Sequence, residues 1–292
     1  GWSRSDGERY QDIYFGSKTG VQYRENIELP FFNYYLKDKG EFSLPEASIF
    51  VSGTNAWHQF EQWPPAQVKN KNLYLHPSGV LSLEMPTGTG DYDEYVSDPE
   101  KPVPHTPKIV VRRDDRYVIQ DQRFASTRPD VLVYQSDVLT EDITLAGELW
   151  ANLYVATTGT DADFIVKLID VYPDTATYIG PNPENVEMGG FQFMVRGEVM
   201  RAKFRNSFEH PEPMIPGEIT EIKFDMQDVA HSFLKGHKIL VQIQSTWFPM
   251  LDRNPQTFVD IYSAGYEDFK KATHRIYTAV GQPSHLKLQV LK

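Results

Sequence analysis

Residues 145–173 read LAGELWANLYVATTGTDADFIVKLIDVYP, and two long apolar runs dominate this stretch. The first run, 145–159, alternates apolar and polar residues over much of its length, whereas the second, 162–173, is almost continuously apolar and rich in Val and Ile. Alternation is typical of a strand with one buried face, and a continuous β-branched run is typical of a strand buried on both faces. The stretch therefore predicts two buried β-strands.

Similar runs recur along the chain after residue 46, separated by Pro, Gly, Asn and Asp. They occupy residues 47–53, 72–76, 80–85, 130–139, 193–206, 217–226, 238–246 and 286–292. About ten strands against one helix predict a mainly β fold, a jelly-roll β-sandwich of two largely antiparallel sheets. Two irregular excursions, 86–129 and 173–190, are predicted as long loops, where binding functions usually reside.

Residues 17–40 carry the helical pattern. Apolar and aromatic residues recur there every three to four positions, at Val21, Tyr23, Ile27, Phe31, Tyr34 and Tyr35. Pro30 should kink or split this helix, and Gly40 stands where a glycine cap is expected. The aromatic face is too apolar for a solvated helix, so we expect it to pack against another surface.

The composition excludes several classes of function. The 292 residues contain 29 Lys and Arg against 40 Asp and Glu, a formal net charge of −11, which argues against nucleic acid or an anionic membrane as a partner. The absence of Cys excludes disulfides, a Cys nucleophile and thiolate metal sites. No apolar run approaches the roughly 20 residues that span a bilayer.

The common catalytic and cofactor motifs are absent. G-x-S-x-G does not occur, because GSKTG at 16–20 has its Ser in the wrong place, and H-E-x-x-H, the P-loop and G-x-G-x-x-G are also missing. None of the eight His lies two or four residues from another. The sequence therefore predicts no cofactor and no metal site.

Two local clusters allow a functional and a structural interpretation. Asp161 and Asp163 share one strand face, which suits calcium or acid–base chemistry, but an acidic turn bonded to neighbouring backbone is the favoured interpretation. Asp252 and Arg253, in the segment STWFPMLDRNP, are interpreted as an ion pair that pins a loop, with a ligand site as the alternative.

An ordered series of long motifs carries a family resemblance. Residues 130–174 (DVLVYQSDVLTEDITLAGELWANLYVATTGTDADFIVKLIDVYPD), 216–255 (PGEITEIKFDMQDVAHSFLKGHKILVQIQSTWFPMLDRNP) and 283–292 (PSHLKLQVLK) resemble the C-terminal domain of the X-prolyl dipeptidyl peptidase, cocaine esterase and α-amino acid ester hydrolase family of CocE/NonD-type serine hydrolases. The resemblance implies a galactose-binding-like jelly roll over 46–292. It also implies that 1–45 is the end of an α/β-hydrolase domain.

The opening residues GWSRSDG, 1–7, resemble the tail of the family motif HGGW-x-R-x-DG. The catalytic His of that motif would then fall about two residues before Gly1; in the alternative alignment Arg4 takes its position. Either alignment implies that the catalytic triad is not in this chain, so that the chain alone is inactive. Its implied partners are α/β-hydrolase and cap domains and a small ester, amide or peptide substrate. A second copy covering the helix is a further expectation, and a secreted or periplasmic location of the parent stays open.

The resemblance also implies substrate-pocket residues. In the family the loop after DP-x-x-PVP, here DPEKPVP at 98–104, forms a wall of the pocket, and the equivalent positions fall near Val111 and Arg112, with Arg113 and Tyr117 close by. Cocaine-esterase-like members are apolar there, whereas an Arg suits a substrate carboxylate. The alternative is that the arginines only neutralise acids on a solvated loop, Arg112, Arg113 and Arg116 facing Asp114, Asp115 and Asp121.

A second class of function competes with the hydrolase interpretation. A free-standing jelly roll that binds carbohydrate would use exposed aromatic side chains such as Trp57 and Trp63. The helix before residue 40 and the GW-x-R-x-DG motif favour the hydrolase domain, because a free-standing module needs neither.

Overall fold

The computed structural model describes residues 5–11, 13–108 and 110–292. Its strands are β1 Arg9–Tyr10, β2 Ile13–Tyr14, β3 Ala47–Val51, β4 Ala56–Phe60, β5 Lys69–His76, β6 Val80–Ser82, β7 Tyr92–Ser97, β8 Leu132–Gln135, β9 Ile143–Thr157, β10 Asp163–Val171, β11 Gln192–Arg201, β12 Thr220–Asp225, β13 Val229–Phe233, β14 Lys238–Gln244, β15 Ala272–Ala279, β16 Gln282–Pro283 and β17 His285–Leu291. The α-helices are α1 Thr19–Tyr23, α2 Leu29–Lys37 and α3 Arg123–Ser126.

The strands form a β-sandwich. In layer one the order is β11-β10-β14-β8, and layer two is built around β9, which pairs with β17, β15, β12 and β13, while β5 and β7 extend it. The short strand β6 pairs with β5 on one side and, in parallel, with β8 on the other, so that hydrogen bonds join the two layers. The other pairings are antiparallel in the described part of the chain. The predicted mainly β sandwich is confirmed.

Strand β10 shows how the sequence places the core. Phe164, Val166 and Leu168 point between the layers and join one cluster with the inward side chains of β9, β14 and β17. The alternate residues Ile165 and Lys167 face outward, yet they are fully buried, because the segment 98–131 covers that side. Coverage of both faces explains why this strand reads as a continuous apolar run.

The helical segment is continuous from α1 to α2. A π-helical turn, Arg24–Glu28, joins the two α-helices and ends two residues before Pro30. Proline lacks an N–H and its ring crowds the carbonyl four residues earlier, so a widened turn accommodates it. The predicted cap at Gly40 is wrong: the helix ends at Lys37, and Asp38 adopts the left-handed conformation with φ 50°. An Asp tolerates this conformation better than most side chains.

The predicted loop 86–129 is wrong in part, because it contains strand β7. This strand reads YDEYVS and, among the described strands, pairs with β15 alone; Tyr92, Glu94 and Val96 are exposed, so polar and apolar residues occur on both of its faces and its pattern is weak. Strands β4, β13 and β15 were also missed, whereas 173–190 forms no strand. Within the described ranges, the helices are too short and too polar to cross a membrane.

Candidate functional site

The segment 98–131 carries the predicted pocket residues, and several contacts hold it to layer one. The Val103 N–H donates to Thr246 Oγ1 at 2.6 Å, and the Val103 carbonyl accepts the Phe248 N–H at 3.0 Å. Val103, Ala125 and Val131 form a small buried cluster against the sheet. The base of this long segment is therefore as rigid as the sandwich beneath it.

A buried lysine lies under the middle of the segment. Lys167 on β10 is fully buried, its Nζ donates to Gln122 Oε1 at 3.0 Å, and the ammonium lies 4.9 Å from the Trp247 ring centroid. Burial lowers the pKa of Lys167 to about 7. With a cation–π contact and a single hydrogen bond, this side chain fixes Gln122 and the start of α3.

Hydrogen bonds of Asp114 hold the tip of the segment, which contains Val111 and Arg112. The Asp114 N–H donates to Nε2 of the buried His105 at 3.0 Å, and its carboxylate accepts hydrogen bonds from the side chain and the backbone N–H of Arg116. These hydrogen bonds lower the pKa of Asp114 to about 2, and the bond from the Arg116 guanidinium has the largest effect. Burial lowers the pKa of His105. An anionic Asp114 and a neutral His105 thus hold the tip at neutral pH.

Two of the four predicted site residues lie at the exposed tip. Val111 is 94% exposed, and Arg112 is exposed beside it. With Gln11 of the N-terminal segment they line an open cleft of about 760 Å³. Among the described residues, no acidic side chain forms an ion pair with Arg112.

The other two residues belong to the support of the tip. The Tyr117 ring packs edge-on against Trp247 with a centroid distance of 5.4 Å, and Arg113 lies over Tyr117 and pairs with Asp115 at 3.3 Å. The proposed neutralisation of the loop therefore holds for Arg113 and for Arg116, which pairs with Asp114 at 2.7 Å, but not for Arg112. Asp121 pairs with Arg123 instead.

The pair Asp161 and Asp163 has a structural role. Asp161 accepts the backbone N–H groups of Ala162 and Lys203, and Asp163 accepts hydrogen bonds from Arg201 and Asn254. In the part of the chain that the structure describes, no group of three or more His, Asp or Glu side chains is arranged so that it could hold a metal ion.

The second cluster pins its loop in a different way from the predicted Asp252–Arg253 pair. Arg253 donates to the Pro99 carbonyl at 2.8 Å and lies over the Phe248 and Phe269 rings. The Asp252 carbonyl accepts a hydrogen bond from Arg201. The predicted ion pair is therefore wrong in its partners, because the guanidinium reaches across to the segment that precedes the tip.

The predicted helix presents its aromatic face to solvent. Phe31, Phe32, Tyr34 and Tyr35 are 42 to 60% exposed, and the rings pack mainly on one another and on Phe42. No residue of α2 is buried. A contiguous apolar face of this kind marks an interaction surface.

A hydrogen-bonded chain of Ser, His and Asp lies outside every sequence motif. Ser52 Oγ lies 2.8 Å from His231 Nδ1, His231 Nε2 lies 3.2 Å from Asp170 Oδ2, and His237 Nδ1 lies 2.8 Å from Asp170 Oδ1. These residues come from the β3–β4 turn, β10, β13 and the loop before β14, so nothing in their spacing signals the cluster.

The surroundings of Ser52 differ from those of a catalytic serine. Its Oγ also lies 3.3 Å from the Ala230 carbonyl oxygen, and its N–H donates to the same oxygen at 3.2 Å. Acyl transfer needs N–H donors where the oxyanion develops, and a carbonyl oxygen there repels that charge. Ser52, His231 and Asp170 are thus linked in the same order as a catalytic triad, but a carbonyl oxygen lies beside the hydroxyl instead of an N–H donor.

Fold and motifs together define the family. The chain belongs to the X-Pro dipeptidyl-peptidase C-terminal non-catalytic domain family, whose model matches residues 41–287. It is 30% identical to the cocaine esterase of Rhodococcus sp. (strain MB1 Bresler), in an alignment that covers 100% of this chain and 50% of the esterase. The family predicted from the motif series is thereby confirmed.

Solved structures agree with this assignment. An aminopeptidase from the marine sediment archaeon Thaumarchaeota archaeon matches with a TM-score of 0.92 at 37% identity, over 100% of this chain and 48% of the aminopeptidase. An α-amino acid ester hydrolase matches with a TM-score of 0.91 at 36% identity, over 99% of this chain and 48% of the hydrolase. The chain spans about half the length of the relatives it matches.

Proposed function

We propose that this chain packs on the α/β-hydrolase and cap domains of a serine ester or amide hydrolase and forms one wall of its substrate pocket. The observation that carries the proposal is the contrast within segment 98–131. Lys167 holds its middle and the Asp114–His105 hydrogen bond holds the backbone beside its tip, whereas the Val111 and Arg112 side chains at the tip are exposed and have no structural partner among the described residues. A rigid loop with a free tip suits contact with a substrate.

The exposed helix supports the packing part of the proposal. The family model begins at residue 41, so α1 and α2 lie before it. Their aromatic face is not covered by the sandwich. The relatives are about twice as long as this chain. A hydrolase domain in the half that this chain does not match would bury this face.

Arg112 gives the sharpest test of the pocket wall. In the full-length hydrolase, Arg112→Ala should raise KM for substrates with a free carboxylate by roughly 10- to 150-fold, because a charge-assisted hydrogen bond contributes about 1.5–3 kcal/mol. kcat should change little, because the bond is made equally in the ground and transition states. The measurement is kcat/KM on matched substrates with and without the carboxylate.

Arg275→Ala is the matched control, since Arg275 is exposed and pairs with Glu94 on the β7–β15 edge. It should leave both substrates unaffected. An equal effect of Arg112→Ala on the two substrates, or no effect, would remove Arg112 from the pocket.

The proposal also predicts that this chain alone has no hydrolase activity. The 292-residue chain should neither hydrolyse p-nitrophenyl esters nor react with a fluorophosphonate, because Ser52 faces the Ala230 carbonyl where an oxyanion would form. Mass spectrometry after incubation with the probe checks this. Stoichiometric labelling of Ser52 that is lost in Ser52→Ala would contradict it.

The carbohydrate-binding alternative loses its support. Trp57 and Trp63 are half-buried rather than exposed: the Trp57 ring packs against Phe50 at 5.7 Å, and the Trp63 indole N–H donates to Asp228. Partial burial reduces the indole surface on which a sugar could stack.

A further inference from the structure

We propose that the cavity beside Asp170 is a binding site for a small phenol, an aromatic ring with a neutral hydroxyl group. The cavity has a volume of about 370 Å³ and lies between the β1–β2 hairpin, the β3–β4 turn and the loop after β10. This is the lower end of the range for small-molecule sites, which suits a ligand of one or two rings. None of its lining residues lines the cleft at the tip of segment 98–131.

One imidazole supplies the acceptor for the hydroxyl. Asp170 is fully buried and takes hydrogen bonds from both His231 and His237. Nδ1 of His237 faces this carboxylate, which can only accept, and in the imidazole tautomer that carries its proton on Nδ1 the other nitrogen, Nε2, is an acceptor. His237 lines the cavity, and no described residue is hydrogen-bonded to its Nε2. A ligand that donates a proton there completes the chain.

The other polar atoms of the cluster are already engaged. His231 uses Nδ1 with Ser52 and Nε2 with Asp170, and Ser52 also bonds to the Ala230 carbonyl. His237 Nε2 is thus the group of the cluster that is left to recognise a ligand.

The lining favours an aromatic body for the ligand. Tyr14, Tyr172 and Phe193 present rings to the cavity, and Met188 adds a thioether. Aromatic rings and thioethers both pack favourably on the face or the edge of another ring. The ligand therefore gains from burying its ring against these side chains as well as from its hydroxyl.

Charge excludes the related carboxylic acids. The Asp170 carboxylate lies behind the imidazoles, and the chain as a whole carries a formal net charge of −11. A benzoate would bring a second negative charge close to that of Asp170 and would have to be desolvated there. A neutral hydroxyl avoids both penalties.

Three ligands with the same ring test the proposal. The 292-residue chain is titrated at mildly alkaline pH with p-cresol, with 4-methylanisole, in which a methyl group replaces the hydroxyl proton, and with 4-methylbenzoate, and binding is followed by NMR. We expect p-cresol to bind at least about tenfold more tightly than either analogue, the loss that one unmade hydrogen bond causes. NOEs from the cresol methyl group to Tyr172 and Phe193 should locate it.

His237→Phe removes the acceptor but keeps a ring, so the preference for p-cresol over 4-methylanisole should disappear. His210→Phe, on an exposed loop, is the matched control and should keep it. Equal affinity of the wild-type chain for p-cresol and 4-methylanisole overturns the proposal, and so does the absence of saturable binding or of the two NOEs. These wild-type measurements stand even if His237→Phe fails to fold.

Discussion

His274 shows at the scale of one residue how burial determines protonation. It lies on β15 with no exposed surface, its ring is 5.4 Å from Tyr95 and 5.7 Å from Phe164, and neither ring nitrogen has a hydrogen-bond partner among the described residues. Desolvation lowers the pKa of His274 to about 3. The imidazole therefore stays neutral in the folded chain at any physiological pH.

A depressed histidine pKa couples stability to pH with a definite sign. Below the unfolded value of about 6.5 the unfolded chain binds a proton that the folded chain does not, so stability falls as pH decreases from about 6.5 to about 3. Replacing His274 by Leu, which has a similar volume, removes this proton. As the pH decreases through that window, the free energy of unfolding of His274→Leu should fall less steeply than that of the wild type. The two slopes should differ by about 1.4 kcal/mol per pH unit.

Urea unfolding of both proteins between pH 7 and pH 4 measures this difference, on the order of several kcal/mol at the acid end. His210→Leu, which removes an exposed imidazole, serves as the control. Parallel profiles for wild type and His274→Leu would show that His274 is protonated in the folded chain.

At the scale of elements, the α1–α2 helix is a surface element with the composition of a core element. Leu29 and Leu36 are exposed together with the four aromatic residues of the same helix, and the ring contacts within the cluster leave much of that surface in water. Soluble monomers rarely leave contiguous apolar patches above several hundred Å² uncovered. The 292-residue chain should therefore cover this face with a second copy.

Sedimentation velocity over a range of concentrations tests that self-association. The double variant Tyr35→Lys/Leu36→Lys should shift the chain toward monomer, because two charges cannot be buried unpaired in an apolar contact. Val280→Lys, at an exposed apolar residue elsewhere, should leave the association unchanged. A wild-type chain that is monomeric at all concentrations, with the helix formed, would contradict the expectation.

At the scale of the molecule, the sandwich contains its own core. The three buried apolar clusters of the described chain draw on residues from Leu73 onward, and the N-terminal segment adds only small buried groups such as Thr19. We therefore expect residues 46–292 to fold alone, with a Tm within about 5 °C of the longer chain.

Thermal unfolding of 46–292 and 1–292, followed by circular dichroism, makes the comparison. A chain truncated at residue 284 is the control: it loses Leu286 and Leu288 of β17, both central to the core, and should not fold. A broad transition or aggregation of 46–292 would place the domain boundary elsewhere.

Local pattern was sufficient wherever one strand carried its own signal. β10 and most of β9 could be predicted because their alternation or continuous apolar character depends only on which faces are buried. The helix, the mainly β class and the family motifs followed from the sequence in the same way. The strand β7 could not, since among the described strands it pairs with β15 alone and mixes polar and apolar residues on both faces.

The sequence by itself determined the fold class, the family and the loop on which Arg112 lies. Only the tertiary structure decided that Tyr117 turns inward onto Trp247 while Val111 stays in solvent, and that Ser52, Asp170 and His231 meet. The physical reason is the distance along the chain between the residues that interact. Strand periodicity is set by neighbours two residues apart, whereas a hydrogen-bonded chain joins side chains 61 and 179 positions apart that only the pairing of strands brings within reach.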